Sequence, residues 1–195
     1  MMKRIMLALG LMAGSAVGQA EEIEEPQWQL IDTVGKVELR RYAARVQAVT
    51  ELEDSGQSSA GFRRLAGFIF GGNEREQSIA MTAPVQETLQ NERPLMTFTM
   101  PRGYALAELP APDDRRVRLV AVPEQTVAAI RFSGWATPGK IGRMTRELTA
   151  VLAEHGIAVA GPPMLNQYNP PWTPPLFRRN EITLAIDLPE QVAGR

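Results

Sequence analysis

Cysteine is absent from all 195 residues, and histidine occurs once. Without a thiol there is no disulfide to close the fold, no thiol catalysis, no cysteine-ligated zinc or iron, and no haem attached through a CxxCH motif. Charge of one sign is lacking as well, because 21 Lys and Arg stand against 22 Asp and Glu. Nucleic acids and anionic membranes reward clustered positive charge, so neither is expected as a partner. Catalytic signatures are missing too. There is no GxSxG, no HExxH, no phosphate-binding glycine loop and no dinucleotide fingerprint, which leaves an enzyme reading with little to stand on.

The first twenty residues read as an export signal rather than as part of a domain. Lys3 and Arg4 give a positive start, Ile5 to Met12 an apolar run too short to cross a bilayer, and Gly18-Gln-Ala20 a small-residue cleavage site. Cleavage is expected after Ala20, with no stable membrane insertion afterwards and a periplasmic or secreted location. Removing Lys3 and Arg4 leaves 19 basic against 22 acidic groups. Residues 21–195 are long enough for one domain with a substantial core.

Within it, Glu21 to Glu25 reads as a solvated acidic leader. Trp28 to Thr33 and Lys36 to Tyr42 read as a hairpin turning at Val34-Gly35, followed by a strand candidate at Val46 to Leu52. A helix is predicted over about Ala60 to Phe70, capped by Ser58 or Ser59, with Phe62, Leu65, Ala66 and Ile69 as its apolar stripe. Ser78 to Val85 reads as a strand interrupted at Pro84, which has no amide proton to donate. Leu95 to Met100, Val117 to Val122 and Thr126 to Phe132 are further strands. A second helix spans Pro138 to about His155, with Thr137 as cap and Gly156 as stop. Gly161 to Pro175 carries six prolines and reads as an extended, ladder-poor segment. The last strand, Glu181 to Leu188, alternates cleanly. Strand, helix, Met-containing segment and alternating strand recur in two halves, about 28–101 and 117–188.

Six segments, in order, carry a resemblance: Val37-Glu-Leu-Arg-Arg-Tyr42, Gly71-Gly-Asn-Glu74, Ile79-Ala-Met-Thr-Ala-Pro-Val85, Phe132-Ser-Gly-Trp135, Gln167-Tyr-Asn-Pro-Pro171 and Arg179-Asn-Glu-Ile182. Together they resemble the SOUL haem-binding protein family across about residues 27–188. The resemblance implies an α+β fold, a distorted antiparallel β-barrel of two pseudo-symmetric βαβ-type repeats with two flanking helices. It also implies non-covalent, weak binding of haem or a related tetrapyrrole, buffered or carried rather than transformed. By position it nominates Phe62, Leu65, Phe68 and Ile69 for the ring and Arg63 or Arg64 for the propionates.

Some members of that family carry a histidine where this chain has Arg41. His155, at the end of the second helix, is explained without iron as a donor to free carbonyls. Met81, Met96, Met100, Met164 and Tyr168 are the remaining axial candidates. The implied fold is shared with effector-binding domains that hold small amphipathic or cationic ligands around a buried acid, which brings in Glu181. Its position reads either as an exposed strand residue or as a buried acid; buried without a basic partner, it would suit cation binding or hydrolysis in the central cleft.

Overall fold

The computed structural model describes residues 23–53, 58–89 and 93–188, so the export-signal reading and most of the loop before the first helix lie outside it. Ten strands form one antiparallel sheet. In chain order they are β1 (Trp28–Val34), β2 (Val37–Tyr42), β3 (Arg45–Glu51), β4 (Val85–Thr88), β5 (Leu95–Thr99), β6 (Val117–Val122), β7 (Gln125–Phe132), β8 (Ala158–Val159), β9 (Met164–Gln167) and β10 (Asn180–Asp187). Helix α1 (Ser58–Ile69) follows β3, and α2 (Pro138–Glu154) follows β7. Gly35, at φ +60°, makes the tight β1–β2 turn expected from Val34-Gly35.

Strand order is β1-β2-β7-β10-β9-β4-β5-β3-β6, with β8 pairing β10 off this path. Read outward from the β4–β9 ladder, the two sides match: β4, β5, β3, β6 on one and β9, β10, β7, β2 on the other. A pseudo-twofold axis runs between β4 and β9, and the two sheet halves exchange strands relative to the sequence repeats: β6 joins β3, while β2 joins β7. No ladder joins β1 to β6 among the described residues, so the sheet is a curled barrel left open along one seam.

Each half buries its own apolar face under its own helix. Leu65, Phe68 and Ile69 of α1 pack with Val46, Met96, Phe98 and Val117, while Leu148 and Leu152 of α2 pack with Leu39, Ile130, Ile182 and Leu184. The α1 stripe is therefore rotated from the predicted one. Gly61, Leu65, Phe68 and Ile69 are buried, and Phe62 lies off the stripe. The cause is close approach. A Cβ on Gly61 would sit 2.3 Å from Leu52 Cδ2 and 3.4 Å from Met96 Sδ, so the helix docks through its glycine. Helix α2 behaves as expected. Thr137 accepts from the Lys140 amide at 3.4 Å, and Gly156 ends it at φ +65°.

Three other expectations are corrected. The segment Ser78 to Pro84 makes isolated bridges at Ser78 and Thr82, and a continuous ladder begins only at Val85. Met164–Gln167, inside the proline-rich stretch, is a central strand between β4 and β10, because its prolines stand outside the ladder. Glu24 and Glu25 are tied down rather than solvated: Glu24 bridges to Thr82 and pairs with Arg102 at 2.9 Å, and Glu25 pairs with Arg179 at 2.9 Å.

Asn73, 1% exposed, closes the turn after α1. Its Nδ2 donates to the carbonyls of Phe68 at 3.0 Å and Gln77 at 2.8 Å, and its Oδ1 accepts from the Gln77 amide at 3.1 Å. Asn73→Ala leaves those groups buried and unpaired, so it should lower unfolding stability by about 2 kcal/mol, read as a fall in the denaturant midpoint without a change in slope.

Candidate functional site

The sheet has two unlike faces. Alternation along each strand sends apolar side chains to the helices and polar ones inward, so the inner face is built from Arg40, Tyr42, Gln47, Gln86, Thr99, Asn166, Glu181 and Thr183. Most of these are buried, because the curl covers that face as well. The exposed reading of Glu181 is thus corrected: its residue is 0% exposed.

Glu181 is not alone there. Its Oε2 accepts from Arg40 Nη1 at 2.7 Å and from the Tyr168 hydroxyl at 2.8 Å; its Oε1 accepts from Arg40 Nη2 at 3.2 Å and from Arg179 Nε and Nη2, both at 3.1 Å. Burial by itself would raise this carboxyl, but the Arg40 hydrogen bonds and charge, with Arg179 and Tyr168, outweigh it and hold it below the ordinary carboxylate value. Arg40 in turn meets Glu38 at 2.7 Å and lies 4.3 Å over the Trp28 ring, and Arg179 lies 3.6 Å over Tyr168. Burial and the neighbouring Glu181 charge push the Tyr168 phenol upward, so it stays a donor and not a phenolate.

Both oxygens of Glu181 are consumed by these contacts. The condition for a cation-binding or hydrolytic role, a buried acid without a basic partner, is not met. The rest of the inner face is equally self-satisfied. Gln47 Nε2 donates to Gln86 Oε1 at 2.8 Å, Gln86 Nε2 to Asn166 Oδ1 at 2.7 Å, and Asn166 Nδ2 to Thr183 Oγ1 at 2.9 Å, an amide chain crossing the pseudo-axis. The cavity left beside it is about 120 Å³. Sites that enclose a small organic ligand run to roughly 300–1,000 Å³, so a tetrapyrrole does not fit inside.

The outer side of α1 is different. Of the nominated ring contacts, Leu65, Phe68 and Ile69 are 0%, 2% and 1% exposed and belong to the core, so they are unavailable to a ligand. Arg64 is also engaged, its Nη1 donating to Thr50 Oγ1 at 2.6 Å and to the Glu51 carbonyl at 2.8 Å. Phe62 and Arg63 are exposed, and with them Gly67 and Phe70 complete one face at helical spacing. Phe62 is held edge-on to Phe98 with centroids 5.4 Å apart, while Phe70 is 68% exposed. A side chain added at Gly67 would meet nothing within 4 Å, so a flat, open gap lies between the two rings. The sequence reading missed Gly67, and it saw Phe70 widen the apolar surface of the helix without nominating it for the ring. The signal was available in the i, i+4, i+8 spacing of Phe62, Ala66 and Phe70.

The axial candidates are mostly spoken for. Met96 and Met100 are buried in the α1 core, Met81 packs against it, and Met164 lines the small inner cavity. Arg41 stands on β2, paired at 3.6 Å with Glu124. His155 Nδ1 lies 2.9 Å from the Val151 carbonyl, the predicted helix-end contact. No cluster of metal-ligating residues is present among the described residues.

The molecule is thus a duplicated, curled α+β barrel with a closed inner face and with aromatic rings turned outward on its first helix. The same architecture occurs in the C-terminal domain of EcmrR (TM-score 0.61, 9% identity, 82% of this chain and 98% of that one) and in a hydrolase from Listeria innocua (TM-score 0.58, 10% identity, 78% and 92%). At such identities the likeness shows the fold alone. The model of the SOUL heme-binding protein family matches residues 23–185, and this chain belongs to that family. Heme-binding protein 2 from Mus musculus is 27% identical over 161 residues, covering 76% of this chain and 77% of that protein; its Homo sapiens counterpart is 27% identical over 150 residues, covering 70% and 73%.

The Glu181 network makes a pH prediction. Its carboxyl is depressed below the usual 4.5, so its stabilisation is fully present above that value and is lost as pH falls through the lower folded value. Glu181→Gln should cost about 3–5 kcal/mol at neutral pH by stranding Arg40. It should also flatten the loss of melting temperature between roughly pH 5 and 2. An unchanged acid limb in the variant would contradict the assignment.

Proposed function

We propose that this protein binds haem or a related tetrapyrrole non-covalently on the outer face of α1, and that it buffers or carries the ligand outside the cytoplasm. The carrying observation is the exposed pair Phe62 and Phe70 flanking the open gap at Gly67, with the Arg63 guanidinium beside them. Family membership and the likeness to heme-binding protein 2 support the class of ligand. The pseudo-symmetric partner helix supplies a contrast within the same molecule. Helix α2 turns Arg143, Arg146 and Thr149 to solvent where α1 turns phenylalanines. The aromatic area left exposed on one of two equivalent helices, that of Phe70 above all, exceeds what folding uses, and a flat apolar guest is what such a surplus accommodates.

Phe62 and Phe70 would cover the macrocycle, and Arg63 would meet a propionate through its forked donors. Gly67 lets the ring approach the helix backbone. The iron, if present, adds its own coordination chemistry to the bound ring. Because this face offers neither imidazole nor thioether, affinity rests on apolar contact and the carboxylate contact. Trp135, Trp172, Leu176 and Phe177 are exposed as well, on the segments that follow β7 and β9. Phe70 bridges to Ser78, the chain then runs to Val85, and Val85 pairs with Gln167, where the loop bearing Trp172 begins.

In a haemin titration followed at the Soret band, Phe62→Ala, Phe70→Ala and Gly67→Leu should each weaken binding by roughly tenfold, about 1.4 kcal/mol, the scale of one aromatic contact. Leu65→Ala, by contrast, should lower stability by about 2–5 kcal/mol. Iron-free protoporphyrin should bind within about threefold of haemin, since contact and charge carry the affinity. Unaltered titrations in all three surface variants would remove the helix face from consideration. For location, a periplasmic fraction should yield a chain beginning at Glu21; a chain retaining Met1 in the cytoplasm would refute export.

A further inference from the structure

A second built feature lies at the other end of α1, where Arg64, Arg93, Arg115, Arg116 and Arg118 line a groove of about 700 Å³ together with Glu51, Leu52 and Glu53. Five guanidinium groups thus face two carboxylates, in a chain whose overall charge is −1. We infer that this groove is a binding site for a compact soluble polyanion carrying two or more phosphate or carboxylate groups, separate from the aromatic face of α1.

Three segments bring the arginines together. Arg64 comes from α1, Arg93 from the approach to β5, and Arg115, Arg116 and Arg118 from the start of β6, while the end of β3 forms the floor. Leu52 is the groove's one apolar lining residue, so any guest meets mainly charged side chains there. Several of its cations are held in place by contacts that leave donors over. Arg64 Nη1 is fixed by Thr50 Oγ1 and the Glu51 carbonyl; Arg116 makes a two-pronged contact with Asp114, at 2.9 and 2.6 Å. Arg118 lies 3.4 Å from Glu51 and Arg93 4.0 Å from it, so one carboxylate is shared between two guanidinia. Arg115 is exposed and makes no ion pair among the described residues.

An edge strand is commonly protected by a charge or two, and β6 is an edge. That role does not call for five arginines around one concavity. Positioned guanidinia in a cleft focus positive potential and suit oxyanions, each planar fork taking two oxygens. A groove of about 700 Å³ with multiple forks matches an anion with several charged groups better than a single phosphate.

The test uses isothermal titration of the purified protein with tripolyphosphate, citrate and inorganic phosphate at low salt. Saturable one-to-one binding of tripolyphosphate or citrate is expected, with the stronger of the two telling phosphate from carboxylate, and with inorganic phosphate at least about tenfold weaker. Affinity should drop several-fold when salt rises from roughly 50 to 300 mM. Arg115→Glu, a substitution on an exposed side chain, should weaken binding about tenfold or more, and Arg118→Glu should do the same. The melting temperature of Arg115→Glu should stay at the parent value. Phe62→Ala with Phe70→Ala, which abolishes the proposed tetrapyrrole contacts, should leave polyanion affinity unchanged, and Arg115→Glu should leave haemin binding unchanged. Absence of saturable binding by either polyanion would overturn the proposal, as would binding that survives both charge reversals. Association only with phosphatidylglycerol vesicles, or displacement of tripolyphosphate by haemin, would overturn it as well.

Discussion

The charged part of the inner face is arranged around one buried ion pair, Arg40 with Glu181. Taking a carboxylate such as Glu181 out of water is expensive, and the cost is offset here by two guanidinia and a phenol aimed at its two oxygens. Those donors come from β2, from the segment before β10 and from the loop after β9. Arg179 extends the network to Glu25, so the chain ahead of β1 is held by the same cluster. Asn180, next to Glu181, donates to the Gly134 carbonyl at 2.9 Å and joins the β7 loop to it. Five distant stretches of chain are thus fastened together. A fold without disulfides draws its closure from this ionic knot and from two apolar cores.

The segments that carry the family resemblance take on a structural meaning in this light. Arg40 and Tyr42, Tyr168, and Arg179 with Glu181 belong to three of the six, and all meet in the knot. Asn73, from a fourth, closes the turn after α1. These stretches are recognisable because they hold the shell together. The proposed binding face lies between them, on the first helix.

Duplication explains how one half came to differ from the other. Both helices bury equivalent stripes against equivalent strands, yet only α1 docks through a glycine, Gly61. That close docking turns α1 so that Phe68 enters the core and Phe62 leaves it. A rotation of the helix by about 65°, less than one residue's step, decides which phenylalanine faces solvent. The consequence is an exposed aromatic pair around Gly67 on one helix and a charged face on the other.

Much of this was legible in the chain itself. Strand alternation, the capped and glycine-stopped second helix, the Val34-Gly35 hairpin and the two-fold recurrence are local or periodic signals, and local stereochemistry suffices to produce them. The site was less legible. A periodicity shows that Leu65 and Ile69 share a face with a neighbour, but helix packing alone selected Phe68 over Phe62 as that neighbour. Likewise a strand with charged residues on alternate positions looks solvent-facing, and Glu181 is buried because the sheet curls until its second face is also an interior. Sequence determined the elements, the repeat and the family, since each rests on residues close together or on a recurring pattern. Which rings face water, and which charges are locked away, was decided by contacts between residues as far apart as Arg40 and Glu181, and those exist only once the chain has folded.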